Sequence, residues 1–271
     1  MTVTVCGNCA VEHAEPGEIC VICADEREWV PAEGQRWTTP EELAAEGTRT
    51  TVRELEPGLI AVGARPSVGI GQTSLLVTTS GGNVLWDPLG FLDDDGVAAV
   101  LRHGEVVAVV ASHPHMFGVQ VEWSRRLGDP PVLVAKADQA WVQRPDPVIE
   151  TWSGELSPAP GITLSQPGGH FPGSAVLHWA DGAEGRGALL TGDTIFPNPD
   201  RTTVGFLRSY PNLIPLSGAV AQRIAAHVER YDFDRIYGNF ANVVPRDGRA
   251  AVRRSADRHA AWARGDHDDL T

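Results

Sequence analysis

The chain has 271 residues, of which 42% are hydrophobic and 21% are charged, values that are typical of a globular protein and exclude a disordered or fibrous one. Its 22 Lys and Arg residues against 35 Asp and Glu residues give a net charge of −13, which disfavours nucleic acid and anionic membranes as partners. No apolar stretch approaches the roughly 20 residues of a membrane helix, and the first residues lack the features of a secretory signal, so we expect a cytoplasmic protein.

The four cysteines all lie near the N-terminus, in two Cys-x-x-Cys pairs formed by Cys6 and Cys9 and by Cys20 and Cys23. Two such pairs together supply the four thiolates of a tetrahedral zinc site. Two disulfides are the alternative, which a reducing compartment disfavours, and a redox motif would be a single pair that opens a helix. We therefore predict a structural zinc ribbon over residues 1–35 whose folding depends on the ion.

The predicted ribbon is acidic, with one Arg against seven Asp and Glu residues. Zinc ribbons that hold nucleic acid do so through basic and aromatic side chains, so this one is expected to be structural or to dock a protein partner. Trp29, just after the second cysteine pair, is a candidate anchor to the rest of the chain, with ordinary packing as the alternative.

A short helical linker is predicted over residues 36–50, with Thr39 as its N-cap, Pro40 at its first position and Gly47 at its end. The remaining residues, 51–271, alternate apolar runs with glycine-containing turns and predict an α/β domain. The predicted strands are Leu59–Val62, Thr73–Thr79, Asn83–Trp86, Val106–Ala111, Val132–Ala135, Ile162–Ser165, Ala175–Trp179 and Ala188–Thr191. The predicted helices are Asp93–Arg102, Leu216–Arg230 and Arg246–Ala263.

Three histidines and an aspartate lie at the ends of predicted strands in this domain. His113 and His115 follow a buried strand, and Pro114 between them restricts the backbone. His170 lies in a glycine-rich turn that precedes a strand, and Asp193 lies at the end of another. Imidazole and carboxylate groups are common ligands of zinc and iron. We predict that these four residues are both metal ligands and catalytic residues.

The ordered motifs His-x-His, Gly-His-x-x-Gly-Ser and Gly-Asp resemble those of the metallo-β-lactamase superfamily, over roughly residues 52 to 245. The segment from Gln72 to Gly90 is similar to the opening hairpin and the aspartate-containing turn of that family. The resemblance implies a four-layer αββα sandwich with the metal site at one edge.

The sequence departs from the family pattern at the second metal site. The family continues its first motif with an aspartate and a histidine, where this chain has Phe117 and Gly118, and Asn239 stands where a later histidine is usual. A phenyl ring and a glycine cannot coordinate a cation, and a neutral amide is a poor ligand for a transition metal. We therefore predict a single ion, zinc or iron, at the histidine site in addition to the structural zinc of the ribbon.

Three neutral imidazoles around zinc leave an open, positive centre that can bring the pKa of a bound water to about 7. This predicts a mononuclear hydrolase acting on a small ester, thioester, lactone or related substrate, with Asp193 as fourth ligand or as the group that orients the water. One alternative is a non-haem iron enzyme that oxidises a persulfide or thiol, since persulfide dioxygenases of the same superfamily use one iron. Another is a catalytically silent module for metal-dependent protein docking.

The segment that follows Asp193 contains three weaker candidates for contact with a small-molecule substrate, namely Arg201, Arg208 and Tyr210. The loop that contains them lines the mouth of the site in this superfamily. An arginine there can hold a carboxylate or a phosphate through its planar fork, although surface ion pairs are the more common role.

Overall fold

The structure is a computed structural model that describes residues 3–271. The N-terminal part forms a small antiparallel sheet of strands β1 (Thr4–Cys6), β2 (Glu12–His13) and β3 (Trp37–Thr38), in the order β2-β1-β3. Helix α1 (Pro40–Ala45) follows, and the Thr39 side chain accepts a hydrogen bond from the Glu42 N–H at 3.1 Å. The predicted N-cap and linker helix are thereby confirmed, while β3 shows that the ribbon sheet extends into the predicted linker.

The first large sheet contains seven strands, β4 (Arg49–Glu56), β5 (Leu59–Arg65), β6 (Ser74–Val77), β7 (Asn83–Trp86), β8 (Val106–Val110), β9 (Val132–Ala135) and β10 (Ile149–Trp152). Their order is β10-β9-β8-β7-β6-β5-β4. The pairs from β7 to β10 are parallel and the others are antiparallel.

The second large sheet begins with β11 (Glu155–Leu156), β12 (Ile162–Ser165), β13 (Val176–Trp179) and β14 (Ala188–Leu190). Two small hairpins follow, formed by β15 (Phe196–Pro197) with β16 (Val204–Gly205) and by β17 (Leu207–Ser209) with β18 (Ile214–Pro215). Strands β19 (Arg235–Tyr237) and β20 (Val243–Val244) complete the sheet, whose order is β11-β12-β13-β14-β19-β20.

Helices cover the outer faces of the two large sheets. Helices α2 (Asp94–Leu101) and α3 (Gln120–Arg126) pack on the first sheet, α4 (Gly182–Gly185) is a single turn, and α5 (Gly218–Val228) and α6 (Gly248–Ala263) pack on the second. Short 3-10 turns lie at Pro114–Met116, Lys136–Trp141 and Asp268–Leu270. The layers therefore run helix, sheet, sheet, helix, which confirms the predicted αββα sandwich.

Strand β6 shows why the core strands are apolar along their whole length. Leu75 and Val77 belong to the core between the two sheets, whereas Leu76 belongs to the core between the first sheet and its outer layer. Successive side chains of a strand point to opposite faces, so a strand covered on both faces is a continuous apolar run.

The ribbon is part of that outer layer and shares its core. Cys6, Cys20 and Ile22 lie in the same buried cluster as Phe91 and Phe117 of the main domain. The ribbon and the main domain are therefore held together by one apolar core. Every helix within residues 3–271 is too short or too polar to cross a lipid bilayer.

Candidate metal centres

The sheet topology brings the predicted histidines and aspartate to one edge of the sandwich. His113 and His115 lie just beyond the carboxyl end of β8, and Asp193 lies beyond the carboxyl end of β14. His170 precedes β13, which pairs antiparallel with β14, so the start of β13 meets the end of β14. The Ala175 N–H donates to the Ser112 carbonyl oxygen at 2.8 Å and joins the two sheets at this edge.

One ligand atom from each of His113, His115, His170 and Asp193 lies within 4.8 Å of the others. His115 Nδ1 is 3.3 Å from His170 Nε2, and Asp193 Oδ2 is 3.6 Å from His113 Nε2 and 3.9 Å from His170 Nε2. Ligands about 2.0–2.1 Å from a tetrahedral zinc ion are roughly 3.3–3.4 Å apart. His113 Nε2 and Asp193 Oδ1 are buried without a hydrogen-bond partner, and a bound cation would satisfy such atoms. The four residues therefore fit a metal ion.

The pKa shifts of His115, His170 and Asp193 favour cation binding. Burial, together with the charge of His113, lowers the pKa of His170 to about 3, and the same causes hold the pKa of His115 well below its usual value. Burial alone would raise the pKa of Asp193, but its interactions with His113 and His170 outweigh burial and lower that pKa. Neutral imidazoles and an ionised carboxylate are the forms that bind metal.

A hydrogen-bonded chain behind His113 fixes the orientation of its ring. Asp87 accepts the Ser112 N–H at 2.6 Å and the Ser112 hydroxyl at 3.0 Å, and Ser112 Oγ lies 2.9 Å from His113 Nδ1. When Nδ1–H donates to Ser112, the Nε2 lone pair of His113 faces the metal centre. Complete burial raises the pKa of Asp87 to about 7. The sequence marked the aspartate-containing turn, but the role of Ser112 emerges only from the structure.

Packing and backbone occupy the positions at which the family pattern has its second-site ligands. Phe117 is buried in the outer core, and Gly118 has a φ of +50° with the Pro88 carbonyl oxygen only 2.1 Å from where a Cβ would lie. Asn239 donates through Nδ2 to the Thr73 carbonyl oxygen at 2.9 Å. Within residues 3–271, the remaining group of metal-ligating side chains is the cysteine cluster.

The four cysteines converge as the sequence predicted, and their ligand atoms lie within 4.8 Å of one another. The Cys6 and Cys23 sulfurs are 3.6 Å apart, and those of Cys9 and Cys20 are 3.8 Å apart. Sulfurs about 2.3 Å from a tetrahedral zinc ion are roughly 3.8 Å apart, whereas a disulfide bond is about 2.05 Å long. All four are buried free thiols, so the cluster fits a metal ion held by the ribbon.

A carboxylate from the ribbon that belongs to none of the sequence motifs reaches the histidine centre. Glu28 Oε1 lies 3.4 Å from His115 Nδ1, and the Glu28 side chain is only 5% exposed. Burial, together with the nearby charge of Asp193, raises the pKa of Glu28 to about 7. Glu28 is one of seven acidic residues in the ribbon and belongs to none of the motifs, so the sequence carries no signal for it.

A cavity of about 230 Å³ opens beside the centre and is lined by Glu28, Trp29, Ile70, Asp193, Phe196, Tyr210, Pro211 and Phe240. Trp29, the candidate anchor, is 44% exposed at this cavity. The close contact with the main domain is made by its neighbour Arg27, which donates through Nε to the His170 carbonyl oxygen at 2.8 Å and stacks over Phe171.

The three substrate candidates lie in different places. Tyr210 lines this cavity and donates its hydroxyl to the Asp193 carbonyl oxygen at 3.0 Å. Arg208 forms an ion pair with Glu26 of the ribbon, and Arg201 lines a separate cleft of about 350 Å³. The structure thus brings Tyr210, but not the two arginines, to the wall of the cavity.

Known proteins resemble this chain in sequence and in fold. Residues 68–237 match the family model of the metallo-β-lactamase superfamily. The chain is 41% identical over 260 residues to YmaE of Bacillus subtilis (strain 168), described as an uncharacterized protein, and the match covers 94% of each chain.

Solved structures show the same fold at low sequence identity. The structure of VMB-1 has a TM-score of 0.59 at 13% identity, and the match covers 80% of this chain and 98% of that one. The mono-zinc form of the metallo-β-lactamase FIM-1 from Pseudomonas aeruginosa has a TM-score of 0.55 at 16% identity, with 78% and 96% of the two chains covered.

Proposed function

This chain belongs to the metallo-β-lactamase superfamily, and from that starting point we propose that it is a hydrolase with one catalytic metal ion. The observation that carries the proposal is the convergence of His113, His115, His170 and Asp193 on one point, while Phe117 and Gly118 fill the second-site positions. A divalent cation held by these ligands would supply Lewis acidity and activate a water for attack on a carbonyl carbon.

The residues around the centre have distinct tasks in this proposal. Ser112 holds the His113 ring, and the Tyr210 hydroxyl fixes the backbone of Asp193 through a hydrogen bond of 3.0 Å. If Asp193 Oδ2, the oxygen nearest His113 and His170, holds the cation, Oδ1 has no hydrogen-bond partner and can orient a water and take its proton. Phe196 and Phe240 line the cavity with aromatic surface that can contact an apolar part of a substrate.

The cavity favours a small, uncharged substrate. Its volume of about 230 Å³ is below the roughly 300–1,000 Å³ of pockets for drug-sized ligands. Two carboxylates, Glu28 and Asp193, lie on its wall, and none of the described residues that line it is Lys or Arg. A divalent cation bound at the centre would offset the charge of these two carboxylates, and the described residues of the lining offer no basic side chain to hold an anionic group of a substrate. We therefore favour a small, uncharged ester, thioester or lactone.

Elemental analysis and a substrate panel test the proposal together. We expect two metal ions per chain, one in the cysteine cluster and one at the histidine centre, and metal-dependent turnover of at least one ester, thioester or lactone. His113→Ala should lose one ion and the turnover. His103→Ala is a matched control, because His103 is exposed at the opposite end of β8. Equal turnover in His113→Ala and the wild type would reject the proposal.

The same analysis tests the alternatives. Iron at the histidine centre, with oxygen uptake in the presence of a persulfide, would replace the hydrolase by an oxygenase. Full metal occupancy, with no turnover of the ester, thioester and lactone panel and no oxygen uptake with a persulfide, would favour a docking module.

A further inference from the structure

The segment of the ribbon that carries Glu28 is held in place by the main domain. Ser209 Oγ donates to the Arg27 carbonyl oxygen at 2.9 Å, and Asn212 Nδ2 donates to the carbonyl oxygens of Glu26 at 2.9 Å and Glu28 at 3.1 Å. The hydrogen bond from Arg27 to His170 fixes the same segment from the side of the metal centre. The position of Glu28 is therefore set by several long-range contacts on both sides.

The Glu28 carboxylate is buried without adequate partners. Oε2 has no hydrogen-bond partner, and within residues 3–271 the only basic side-chain atom within 4.0 Å of the carboxylate is His115 Nδ1. Asp193 adds a second buried carboxylate with an unpartnered oxygen at the same centre. Burying a carboxylate is costly unless it is paired or coordinates a metal ion. Two buried carboxylates beside three imidazoles therefore favour a divalent cation between them.

Glu28 lies at the distance of a neighbouring ligand from one member of the centre, His115. Glu28 Oε1 lies 3.4 Å from His115 Nδ1, close to the 3.3 Å that separates His115 Nδ1 from His170 Nε2. Both distances match the roughly 3.3–3.4 Å between neighbouring ligands of a zinc ion with bonds of about 2.0–2.1 Å.

We propose that Glu28 is a further ligand of the metal ion at the histidine centre, supplied by the N-terminal ribbon. The donor set then contains three imidazoles and two carboxylates, and the ribbon and the main domain share one ion. Catalytic zinc can expand to five ligands, and an octahedral ion would retain one open position. The inference rests on the metal centre of the proposed function but not on hydrolysis.

The test is the affinity of the full-length protein for Zn²⁺ at this centre, measured by competition with a chromophoric chelator after the cysteine cluster has been loaded. Glu28→Gln should weaken binding at least about 10–100-fold, the loss typical of removing even an indirect partner of a metal ligand. Glu26→Gln is the matched control, because Glu26 lies two residues away in the same pinned segment and its side chain is 60% exposed. The Zn²⁺ affinity of Glu26→Gln should equal that of the wild type.

Cobalt substitution gives a second readout that does not depend on activity. The absorption bands of Co²⁺ at the histidine centre should change in Glu28→Gln and remain unchanged in Glu26→Gln. Glu28→Asp keeps the charge but withdraws the carboxylate by one methylene, so it should also weaken binding and change the spectrum.

Two results would overturn the proposal. One is Zn²⁺ affinity within threefold of the wild type and an unchanged cobalt spectrum in Glu28→Gln. The other is full affinity in Glu28→Asp with a loss only in Glu28→Gln, which would show an effect of charge without coordination. A protein whose Zn²⁺ binding depends on Glu28 but which hydrolyses nothing would reject the proposed function and leave this inference standing.

Discussion

The substitution Gly118→Ala tests whether the backbone itself keeps the second metal site closed. Gly118 has a φ of +50°, and a Cβ there would lie 2.1 Å from the Pro88 carbonyl oxygen and 2.8 Å from the Leu89 carbonyl carbon. Both neighbours are backbone atoms, so no side-chain rotation can relieve the contact. The Gly118 carbonyl oxygen also accepts the Glu12 N–H at 2.9 Å, which ties this position to the ribbon.

The expected loss combines two contributions. A side chain in the left-handed region costs roughly 1–2 kcal/mol, and overpacking a filled core typically costs about 1–3 kcal/mol. We therefore expect Gly118→Ala to lower the free energy of unfolding by roughly 2–5 kcal/mol. Gly154→Ala is the matched control, because Gly154 has a φ of +77° but no atom within 4 Å of the added Cβ. The Gly154→Ala variant should lose only roughly 1–2 kcal/mol, the cost of the backbone conformation.

Urea unfolding of the two variants and the wild type measures both values. A difference of less than about 1 kcal/mol between Gly118→Ala and Gly154→Ala would refute the reasoning, because the contact with Pro88 would then cost almost nothing. If the reasoning holds, Gly118→His cannot restore the missing second-site histidine without moving the Pro88 backbone. The single-ion centre would then be a property of the backbone as well as of the side chains.

Three further predictions concern the hydrogen bonds and the metal. Ser112→Ala removes the link between Asp87 and His113, so the metal affinity of the histidine centre should fall about 10–100-fold, as measured by chelator competition. Asp93 accepts the N–H groups of Gly96 at 2.8 Å and Thr50 at 3.0 Å, so Asp93→Ala should lower the free energy of unfolding by about 1 kcal/mol at pH 7. Partial burial of Asp93 acts to raise its pKa, but these hydrogen bonds outweigh burial and lower the pKa. The stability advantage of the wild type over Asp93→Ala should therefore be complete above the unfolded pKa of about 3.9 and disappear as pH falls through the lower folded pKa. Urea unfolding of both proteins across this pH range would detect the trend. Removal of the ion from the cysteine cluster by a strong chelator should lower the melting temperature of the whole chain, because the ribbon shares its core with the main domain, and an unchanged melting curve in the stripped protein would contradict that account.

The strands that the sequence predicted are those that the fold buries on both faces. β8 and β9 are continuous apolar runs, and their predicted positions are confirmed to within a residue. β4 (Arg49–Glu56) was missed because it is an edge strand with mostly exposed, polar side chains. It forms by pairing along its length with β5, and such pairing leaves little pattern in the strand's own sequence.

The convergence of the histidines and the aspartate could be anticipated because each lies in a loop that adjoins a buried strand. The sheet topology then brings those loops together, as it does for His113 and Asp193. Glu28 was not predictable in this way, because its place depends on Ser209 and Asn212, far along the chain. Contacts between the ribbon and a distant loop of the main domain leave no hydrophobic periodicity or motif in the sequence around Glu28.

The hydrogen bonds from Asn212 to Glu26 and Glu28 also have a consequence for the order of assembly. They join residues separated by 186 and 184 positions, so the ribbon is synthesised long before the loop that fixes it exists. Until that loop emerges from the ribosome, the segment that carries Glu26 and Glu28 lacks these hydrogen bonds, so we expect the thiols before it to be more accessible than in the folded chain. An ion captured by the thiols during this interval would be enclosed when the later strands and the Asn212 loop close over the segment.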